Sequence, residues 1–434
     1  MKKALRTIFI CGILLVLLAG FARTVLAPKP VNTYENRYAE KVQPFTAQGF
    51  ADGEFQDSLE LALADQVQCS ELLKRTYNNL QSSFMRAFLP LLTASRSVSP
   101  SECNPGNYDY VALGNEEAAL FGPEHICIRP RIFDDSAKAD VDRHSANTNA
   151  IIARHPEIDF YAFYVEKDAD VDFTTGQKQL ADVYIFNSLD IKPVHSVKFV
   201  TDTAPGFDYY FFSTDHHWNL RGSYLAYTQL HTLMRMQGQL LEPVDDSEGL
   251  GENIKAAEGT SKYTEFEIGK FSGSRATGAY SQFSENFYAY RFDFPKYALI
   301  TQNGVVRDNY GNQESYLSGE CQDKLSYRNF YGYDAGEVVI SKAGDGISSG
   351  DTGKTPSGNN ILIIGDSYDN ALLKLIAAHY DNLYAIDLRY YKAYFNADFD
   401  FDSYVSERGI KTVLIAGSRE VFSADEFLID RRAN

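Results

Sequence analysis

The C-terminal third of this 434-residue chain carries the pattern that most restricts its fold. The run Ile361–Ile364 is entirely apolar and too short for a helix, which is typical of a strand buried in a parallel sheet. Helices are predicted over Asn370–His379 and Phe401–Arg408, alternating with strands over Leu383–Ile386 and Thr412–Ala416. This order predicts an α/β fold with a doubly wound parallel sheet flanked by helices.

The middle of the chain adds further predicted strands, because short runs of β-branched and aromatic residues are typical of strands. These runs are Tyr108–Leu113, Ile158–Val165, Val183–Asn187, Ser196–Val200 and Tyr209–Ser213. A helix is predicted over residues 220–236. Residues 242–262 and 341–360 are rich in glycine and polar side chains, so we expect exposed loops there.

The N-terminus carries the pattern of an export signal. Lys2, Lys3 and Arg6 precede an apolar run over residues 8–22. A charged segment before a short apolar run is typical of a signal peptide or a signal anchor, and both alternatives remain open. Either one places the rest of the chain on the extracellular side of the cytoplasmic membrane, anchored or secreted. Membrane contact is then expected only through residues 1–27.

The segment after this signal predicts a membrane-proximal helical region. Asp57 is expected to cap a helix that reaches about Leu80, and a second helix is predicted over Phe84–Leu92. Residues 94–106 are rich in serine and proline and resemble a linker. The predicted organisation is therefore a signal peptide or anchor over 1–27, a stem and helical segment over 28–106, and one large α/β domain over 107–434.

Four cysteines lie outside the apolar N-terminal run: Cys69, Cys103, Cys127 and Cys321. An even number in an exported protein permits two disulfides, and we expect at least one bridge. The alternative is a set of free thiols. No pair has the CxxC spacing of a zinc or redox site, and no metal site is predicted.

The charge balance excludes one class of partner. The chain has 58 acidic and 41 basic side chains, giving a formal net charge of −17. A surface this negative repels polyanions, so we do not expect a nucleic-acid partner.

Ser367 follows the apolar strand at the point where ligands bind in open parallel sheets. A hydroxyl on a sharp turn from strand to helix is suited to nucleophilic attack, and the free N–H groups of a helix start can stabilise an oxyanion. The same position also suits a serine that only caps the helix. The local sequence leaves both interpretations open.

A serine nucleophile needs a base and a group that orients the base. Among the eight histidines, His216 and His217 stand out because they lie in the segment Thr214–Trp218, after an aromatic run. Asp215 is separated from His217 by one residue, which is close enough for a carboxylate to hold the imidazole tautomer. A metal site built from Asp215, His216 and His217 would need further ligands, and no partner cluster is evident.

The segments Thr214–Trp218 and Ile364–Tyr368 resemble those of the DHHW proteins, relatives of the alginate acetylation proteins AlgJ and AlgX with an SGNH-hydrolase-like fold. Asn219 departs from the family, in which a threonine usually follows the tryptophan. Further segments agree with the family pattern in the same order: Glu35–Arg37, Val111–Gly114, Phe271–Ser274, Phe330–Gly332 and Ile386–Tyr391.

The resemblance implies a triad of Ser367 as nucleophile, His217 as base and Asp215 as the group that orients the base. His216 is the alternative base. The Asp-His unit precedes the serine here, whereas ordinary SGNH hydrolases have the opposite order.

Auxiliary residues are predicted around this triad. They are Asn329 and Gly332 as oxyanion donors, and Trp218, Tyr368 and Arg389 as substrate-binding residues. For Arg389 a salt bridge with Asp387 is the alternative, and for Trp218 core packing is the alternative.

The resemblance further implies an exported serine acyltransferase that moves acetyl groups onto hydroxyls of an extracellular polysaccharide. No cofactor is implied. A membrane-bound O-acyltransferase is the expected donor partner. The alternatives are an acetylesterase with the same triad and a non-catalytic protein that binds or assembles polysaccharide.

Overall fold

The structure, a computed structural model, describes residues 31–32, 37–38, 42–66, 111–113, 116–121, 125–128, 130–172, 177–199, 204–257, 262–278, 284–307, 310–321, 324–342 and 358–431. The signal over 1–27, the helix over Phe84–Leu92 and the linker over 94–106 lie outside these residues and stay predictions. The described residues fall into two compact units, one ending at Gln66 and one starting at Val111.

The described residues of the first unit form a short hairpin and two helices: β1 (Val31–Asn32), β2 (Arg37–Tyr38), α1 (Ala47–Ala51) and α2 (Glu54–Gln66). The helix that Asp57 is predicted to cap starts at Glu54, and residues 67–80 of that predicted helix lie outside the described residues. The amide of Asp57 donates to the carbonyl oxygen of Gly53 at 2.9 Å, so Asp57 lies inside the first turn and is not its cap. Across the described part of the chain, no helix combines the length and apolar character needed to cross a bilayer.

Sixteen strands lie within the described residues of the second unit. They are β3 (Val111–Leu113), β4 (Glu116–Phe121), β5 (His125–Ile128), β6 (Asp159–Val165), β7 (Val171–Asp172), β8 (Gln177–Lys178), β9 (Ser196–Phe199), β10 (Lys255–Ala256), β11 (Phe266–Phe271), β12 (Glu285–Ala289), β13 (Tyr297–Gln302), β14 (Val305–Val306), β15 (Glu337–Lys342), β16 (Asn360–Gly365), β17 (Asn382–Ile386) and β18 (Thr412–Gly417).

The helices of the second unit connect these strands. They are α3 (Asp135–Arg154), α4 (Ala181–Ser188), α5 (Ala204–Tyr210), α6 (Leu220–Leu233), α7 (Ser274–Gly278), α8 (Gln313–Leu317), α9 (Tyr327–Tyr331), α10 (Leu373–Ala377), α11 (Leu388–Phe395) and α12 (Phe401–Glu407), with 3-10 turns over Pro193–His195, Asp369–Ala371, Arg419–Phe422 and Asp425–Phe427.

The central element is an eight-stranded sheet in the order β14-β13-β15-β17-β16-β18-β6-β9. The five strands from β17 to β9 are parallel, whereas β13, β14 and β15 add an antiparallel edge. The predicted α/β fold with a largely parallel sheet flanked by helices is therefore confirmed, although the sheet is mixed. Smaller sheets form from β3-β4-β5, from β7-β8 and from β10-β11-β12.

The apolar run that predicted β16 is buried on both faces of the sheet. Ile361 and Ile363 belong to one hydrophobic core, and Leu362 and Ile364 belong to the other. Because successive side chains of a strand point to opposite faces, a strand between two cores must be apolar at every position. Both cores contain residues from the helices that cover the sheet.

Two predicted strands are helices. Residues 183–187 belong to α4, where Ala181 and Ile185 are buried at a spacing of four, the period of one helix face. Most of the predicted strand 209–213 is replaced by the end of α5 and a turn. The Phe207 and Phe211 rings stack four residues apart, with centroids separated by 4.4 Å. A short aromatic run fits the period of a strand and that of a helix equally well, so tertiary packing determined that these segments are helical.

The described cysteines are not bridged. Cys127 lies on β5 within the larger core, Cys321 packs against the same core, and both are free thiols. Burial raises the pKa of the Cys127 thiol, which disfavours its reactive thiolate. The disulfide prediction is wrong for these two residues, because apolar packing accounts for their positions. Cys69 and Cys103 lie outside the described residues, so a bridge between them stays a prediction.

Alkylation tests this assignment. In denaturant without reductant, an alkylating reagent should label both Cys127 and Cys321, as read by peptide mass analysis. The same reaction after reduction serves as the control. Labelling of either residue only after reduction would contradict the free-thiol assignment.

A buried histidine should make stability depend on pH. The Nε2 atom of His144, on α3, lies 3.0 Å from the Phe427 carbonyl oxygen. Burial lowers the pKa of His144 to about 4. In the unfolded chain His144 has a pKa of 6.5 and is protonated below that pH, whereas in the folded chain it stays neutral down to about pH 4. Unfolding free energy should therefore fall between pH 6.5 and 4, by up to about 3 kcal/mol from this residue.

The matched variant is His144→Gln, which keeps an N–H donor for the Phe427 carbonyl oxygen but cannot titrate. Urea unfolding at pH 7 and pH 5 should show a smaller loss of stability in the variant. An equal loss in both proteins would remove His144 as a source of the pH dependence.

Candidate active site

The carboxyl ends of the neighbouring parallel strands β17, β16, β18 and β6 lie at one edge of the sheet. Ser367 follows β16 there and is partly exposed. The turn is held by Asp366, whose carboxylate accepts from the Tyr368 amide at 3.2 Å and from the Ser418 hydroxyl at 2.7 Å. Gly365 is needed because a Cβ there would lie 2.6 Å from the Ala416 carbonyl oxygen. Asp366 is thus a structural turn residue.

The three residues predicted to form a triad meet at this edge. His217 Nδ1 lies 2.5 Å from Asp215 Oδ1, and His217 Nε2 lies 2.7 Å from Ser367 Oγ. Asp215 and His217 are both buried. The contacts form one continuous path from carboxylate to imidazole to hydroxyl, which is the arrangement that proton transfer from a serine requires.

Asp215 is fixed by backbone donors as well as by the imidazole. Its Oδ1 accepts from the His217 amide at 3.0 Å, and its Oδ2 accepts from the Ser274 amide at 2.8 Å. Burial alone would raise the pKa of this carboxyl, but the neighbouring His217 and His216 imidazoles and these hydrogen bonds hold it well below its usual range. Asp215 is therefore ionised and able to stabilise an imidazolium at His217.

Asn219, the departure from the family pattern, has a local structural role. Its side chain accepts from the amides of Arg221 at 2.9 Å and Gly222 at 3.2 Å, and so caps the N-terminus of α6. Its Nδ2 also donates to the carbonyl oxygens of Tyr209 and Phe211. Asparagine is a strong capping residue, so the change leaves the Asp215–His217 loop intact.

Tyr327 on α9 is a site residue that the sequence reasoning missed. Its ring stacks on the His217 imidazole with centroids 3.8 Å apart and planes 5° apart. Its hydroxyl donates to the Ser367 carbonyl oxygen at 3.1 Å. The His216 ring also lies against His217, at 3.9 Å. The one signal in the sequence was that Tyr327 lies a few residues before Asn329 and Gly332, the predicted oxyanion donors.

The oxyanion prediction is wrong for Asn329 and Gly332. The Asn329 side-chain amide donates to the Lys324 carbonyl oxygen at 2.6 Å. The Gly332 amide donates to the Arg328 carbonyl oxygen at 3.0 Å and so closes α9. By contrast, the backbone N–H of Ser367 donates to no group within the described part of the chain.

Of the three residues predicted to bind substrate, two are buried and the third forms a salt bridge. Trp218 and Tyr368 are 1% and 2% exposed, so neither ring is accessible to a sugar in this structure. The Tyr368 hydroxyl donates to the His216 carbonyl oxygen at 2.5 Å. Arg389 forms a salt bridge with Asp387 at 2.6 Å, the alternative foreseen for it. The substrate-binding prediction is therefore wrong for the two rings, and Arg389 is engaged by a carboxylate.

Within the described residues, Asp215, His216 and His217 are the group whose ligand atoms lie close enough together to hold a metal ion. Their contacts are those of the triad. Both ring nitrogens of His217 contact triad partners, and His216 Nδ1 lies 2.7 Å from Ser274 Oγ. Metal binding through His217 would therefore break the path to Ser367.

No family model matches the sequence, and no curated protein is detectably similar to it. Among solved structures, the chain is similar to Bacillus cereus PatB1 with a sulfonyl adduct, with a TM-score of 0.50 and 18% identity over 74% of this chain and 100% of that one. A likeness at this identity shows a shared fold.

Two further solved structures are similar to this chain. A DHHW family protein from Eubacterium siraeum has a TM-score of 0.48 and 17% identity over 75% of this chain and 98% of that one. Pseudomonas aeruginosa AlgX has a TM-score of 0.33 and 10% identity over 75% of this chain and 65% of that one. The names of these two structures are those of the DHHW and alginate acetylation proteins that the sequence motifs resemble.

The stacking of Tyr327 on His217 yields a prediction about serine reactivity. Tyr327→Leu should slow sulfonylation of Ser367 by phenylmethylsulfonyl fluoride by about tenfold or more, because the imidazole loses one face of its support. Tyr327→Phe keeps the ring and should react nearly as fast as wild type. Intact mass over time gives the rates.

Tyr333→Leu is the matched control, since Tyr333 is partly exposed and its ring contacts the Arg328 guanidinium. A Tyr327→Leu rate equal to that of this control would show that stacking does not position the base.

Proposed function

We propose that this chain is an exported serine acyltransferase that transfers an acetyl group to hydroxyls of an extracellular polysaccharide through an acyl-Ser367 intermediate. The observation that carries the proposal is the continuous hydrogen-bonded path from Asp215 through His217 to Ser367. Its location at the carboxyl edge of the parallel sheet, on a partly exposed serine, adds support.

The first half of the reaction loads the enzyme. His217 Nε2 takes the proton of Ser367 Oγ as that oxygen bonds to the carbonyl carbon of the acetyl donor. Asp215 stabilises the imidazolium, and the free N–H of Ser367 is available to the oxyanion. The donor's carbon–heteroatom bond then breaks, and the leaving group takes the proton from Nε2.

The second half transfers the acetyl group. A sugar hydroxyl gives its proton to His217 Nε2 as its oxygen bonds to the acetyl carbon. The bond between that carbon and Ser367 Oγ breaks, and Oγ regains the proton. If water takes the place of the sugar, the same steps release acetate, which is the esterase alternative.

The polysaccharide acceptor and the donor partner rest on the resemblance to the alginate acetylation proteins. A membrane-bound O-acyltransferase would supply acetyl groups to a protein held on the extracellular side of the cytoplasmic membrane. The predicted signal over residues 1–27 would bring the two together.

The test follows the acyl-enzyme directly. The full chain is mixed with p-nitrophenyl acetate, with and without acetyl-accepting oligosaccharides, and intact mass is recorded during turnover. We expect wild type to gain the mass of one acetyl group and pass it to a sugar, whereas Ser367→Ala gains none. Transfer only to water would favour the esterase, and the absence of both adduct and turnover would favour a binding or assembly protein.

The orienting role of Asp215 gives a separate prediction. Asp215→Asn should lower ester turnover by about three to four orders of magnitude, because an amide favours the wrong imidazole tautomer. Asp190→Asn, which changes one exposed acid in the same way, is the control. Steady-state kinetics give the turnover of both variants. If Asp215→Asn turns over as fast as wild type, Asp215 does not orient His217.

A further inference from the structure

The loop that carries Asp215 and His217 is anchored by a carboxylate from another element. Glu285, the first residue of β12, accepts from the amides of Ser213 at 3.0 Å and Thr214 at 2.6 Å. It also accepts from the Thr214 hydroxyl at 2.7 Å. One charged side chain, 71 residues away in the sequence, thus satisfies three donors directly before Asp215.

Thr214 also forms hydrogen bonds with the segment after β11. Its hydroxyl accepts from the Gly273 amide at 3.0 Å, and its carbonyl oxygen accepts from the Ala276 amide at 3.0 Å. Thr214 is 1% exposed, so these contacts are shielded from water. The loop is therefore tied to Glu285, the first residue of β12, and to the segment that follows β11.

The same segment also contacts Asp215. The Ser274 amide donates to Asp215 Oδ2 at 2.8 Å. A Cβ on Gly273 would lie 2.3 Å from the Asp215 Cβ, so only glycine fits this approach. The contacts run from Glu285 through Thr214 and Gly273 to Asp215, and from Asp215 to His217.

We propose that Glu285 is a positioning residue for the Asp215–His217 pair, an inference that rests on the proposed function of the triad. Hydrogen bonds from amides to a carboxylate are stronger than those between neutral groups. Their loss leaves buried N–H groups unpaired, which favours another loop conformation. A shift of about 1 Å at the base costs about a hundredfold in rate where geometry controls proton transfer.

The variant Glu285→Gln keeps the shape of the side chain but replaces one acceptor oxygen with an NH₂ group facing an N–H donor. Thr214→Val removes the hydroxyl that joins Glu285 to Gly273, and Thr214→Ser restores it. Glu267→Gln, on the neighbouring strand β11, makes the same charge change, and is the matched control.

Ester kinetics of the full chain and the downfield proton NMR signal of the His217–Asp215 hydrogen bond are the two readouts. For Glu285→Gln and Thr214→Val we expect kcat to fall by about tenfold or more with KM within about twofold, and the downfield signal to weaken. Glu267→Gln and Thr214→Ser should stay close to wild type. The melting temperature of each variant is measured alongside.

Wild-type kcat and signal in Glu285→Gln would overturn the proposal, as would equal losses in Glu267→Gln, which would mean general damage to the strand pair. If Glu285→Gln does not fold, Thr214→Val and its Thr214→Ser counterpart decide the question. If Ser367→Ala keeps the activity, the proposed function fails, while the NMR signal still reports whether Glu285 positions the pair.

Discussion

The two hydrogen bonds of the His217 imidazole join parts of the chain that are built separately. On one side is Asp215, in the same loop, and on the other is Ser367, which lies 150 residues further along the chain. The loop is held by Glu285 of β12 and by Ser274 after β11, and the serine follows β16 of the large sheet. The site exists only where both supports bring their groups within hydrogen-bonding distance, so the rest of the architecture can be understood as fixing these two positions.

The two supports use different physical means. The serine turn is held because the Asp366 carboxylate accepts from the amides of Tyr368 and Ser418, and because Gly365 permits close approach to β18. The Asp-His loop has no regular secondary structure of its own, and the amides of Ser213, Thr214 and His217 donate to the carboxylates of Glu285 and Asp215. Moving these amides away from the carboxylates would leave them unpaired, and this cost favours the observed loop conformation.

Aromatic rings form the surroundings of the base. Tyr327 stacks on His217, while Trp218 and Tyr368 pack against each other with centroids 5.3 Å apart. The many tyrosines of the sequence therefore act here as packing and hydrogen-bonding residues. By excluding water, they strengthen the attraction between Asp215 and an imidazolium at His217. The same burial explains why the rings expected to stack on a sugar do not face solvent.

The sequence by itself determined the parallel core and the position of the serine, because a continuous apolar run such as β16 is stable only between two cores and ends at the ligand-binding edge. It also singled out Asp215 and His217 through their spacing and family likeness. Only the tertiary structure decided that α4 and α5 are helices, since short aromatic runs fit both periods. The tertiary structure was also needed to find the contacts of Tyr327, Trp218 and Glu285. Their burial and their hydrogen-bond partners depend on segments far away in the chain, which the local sequence does not reveal.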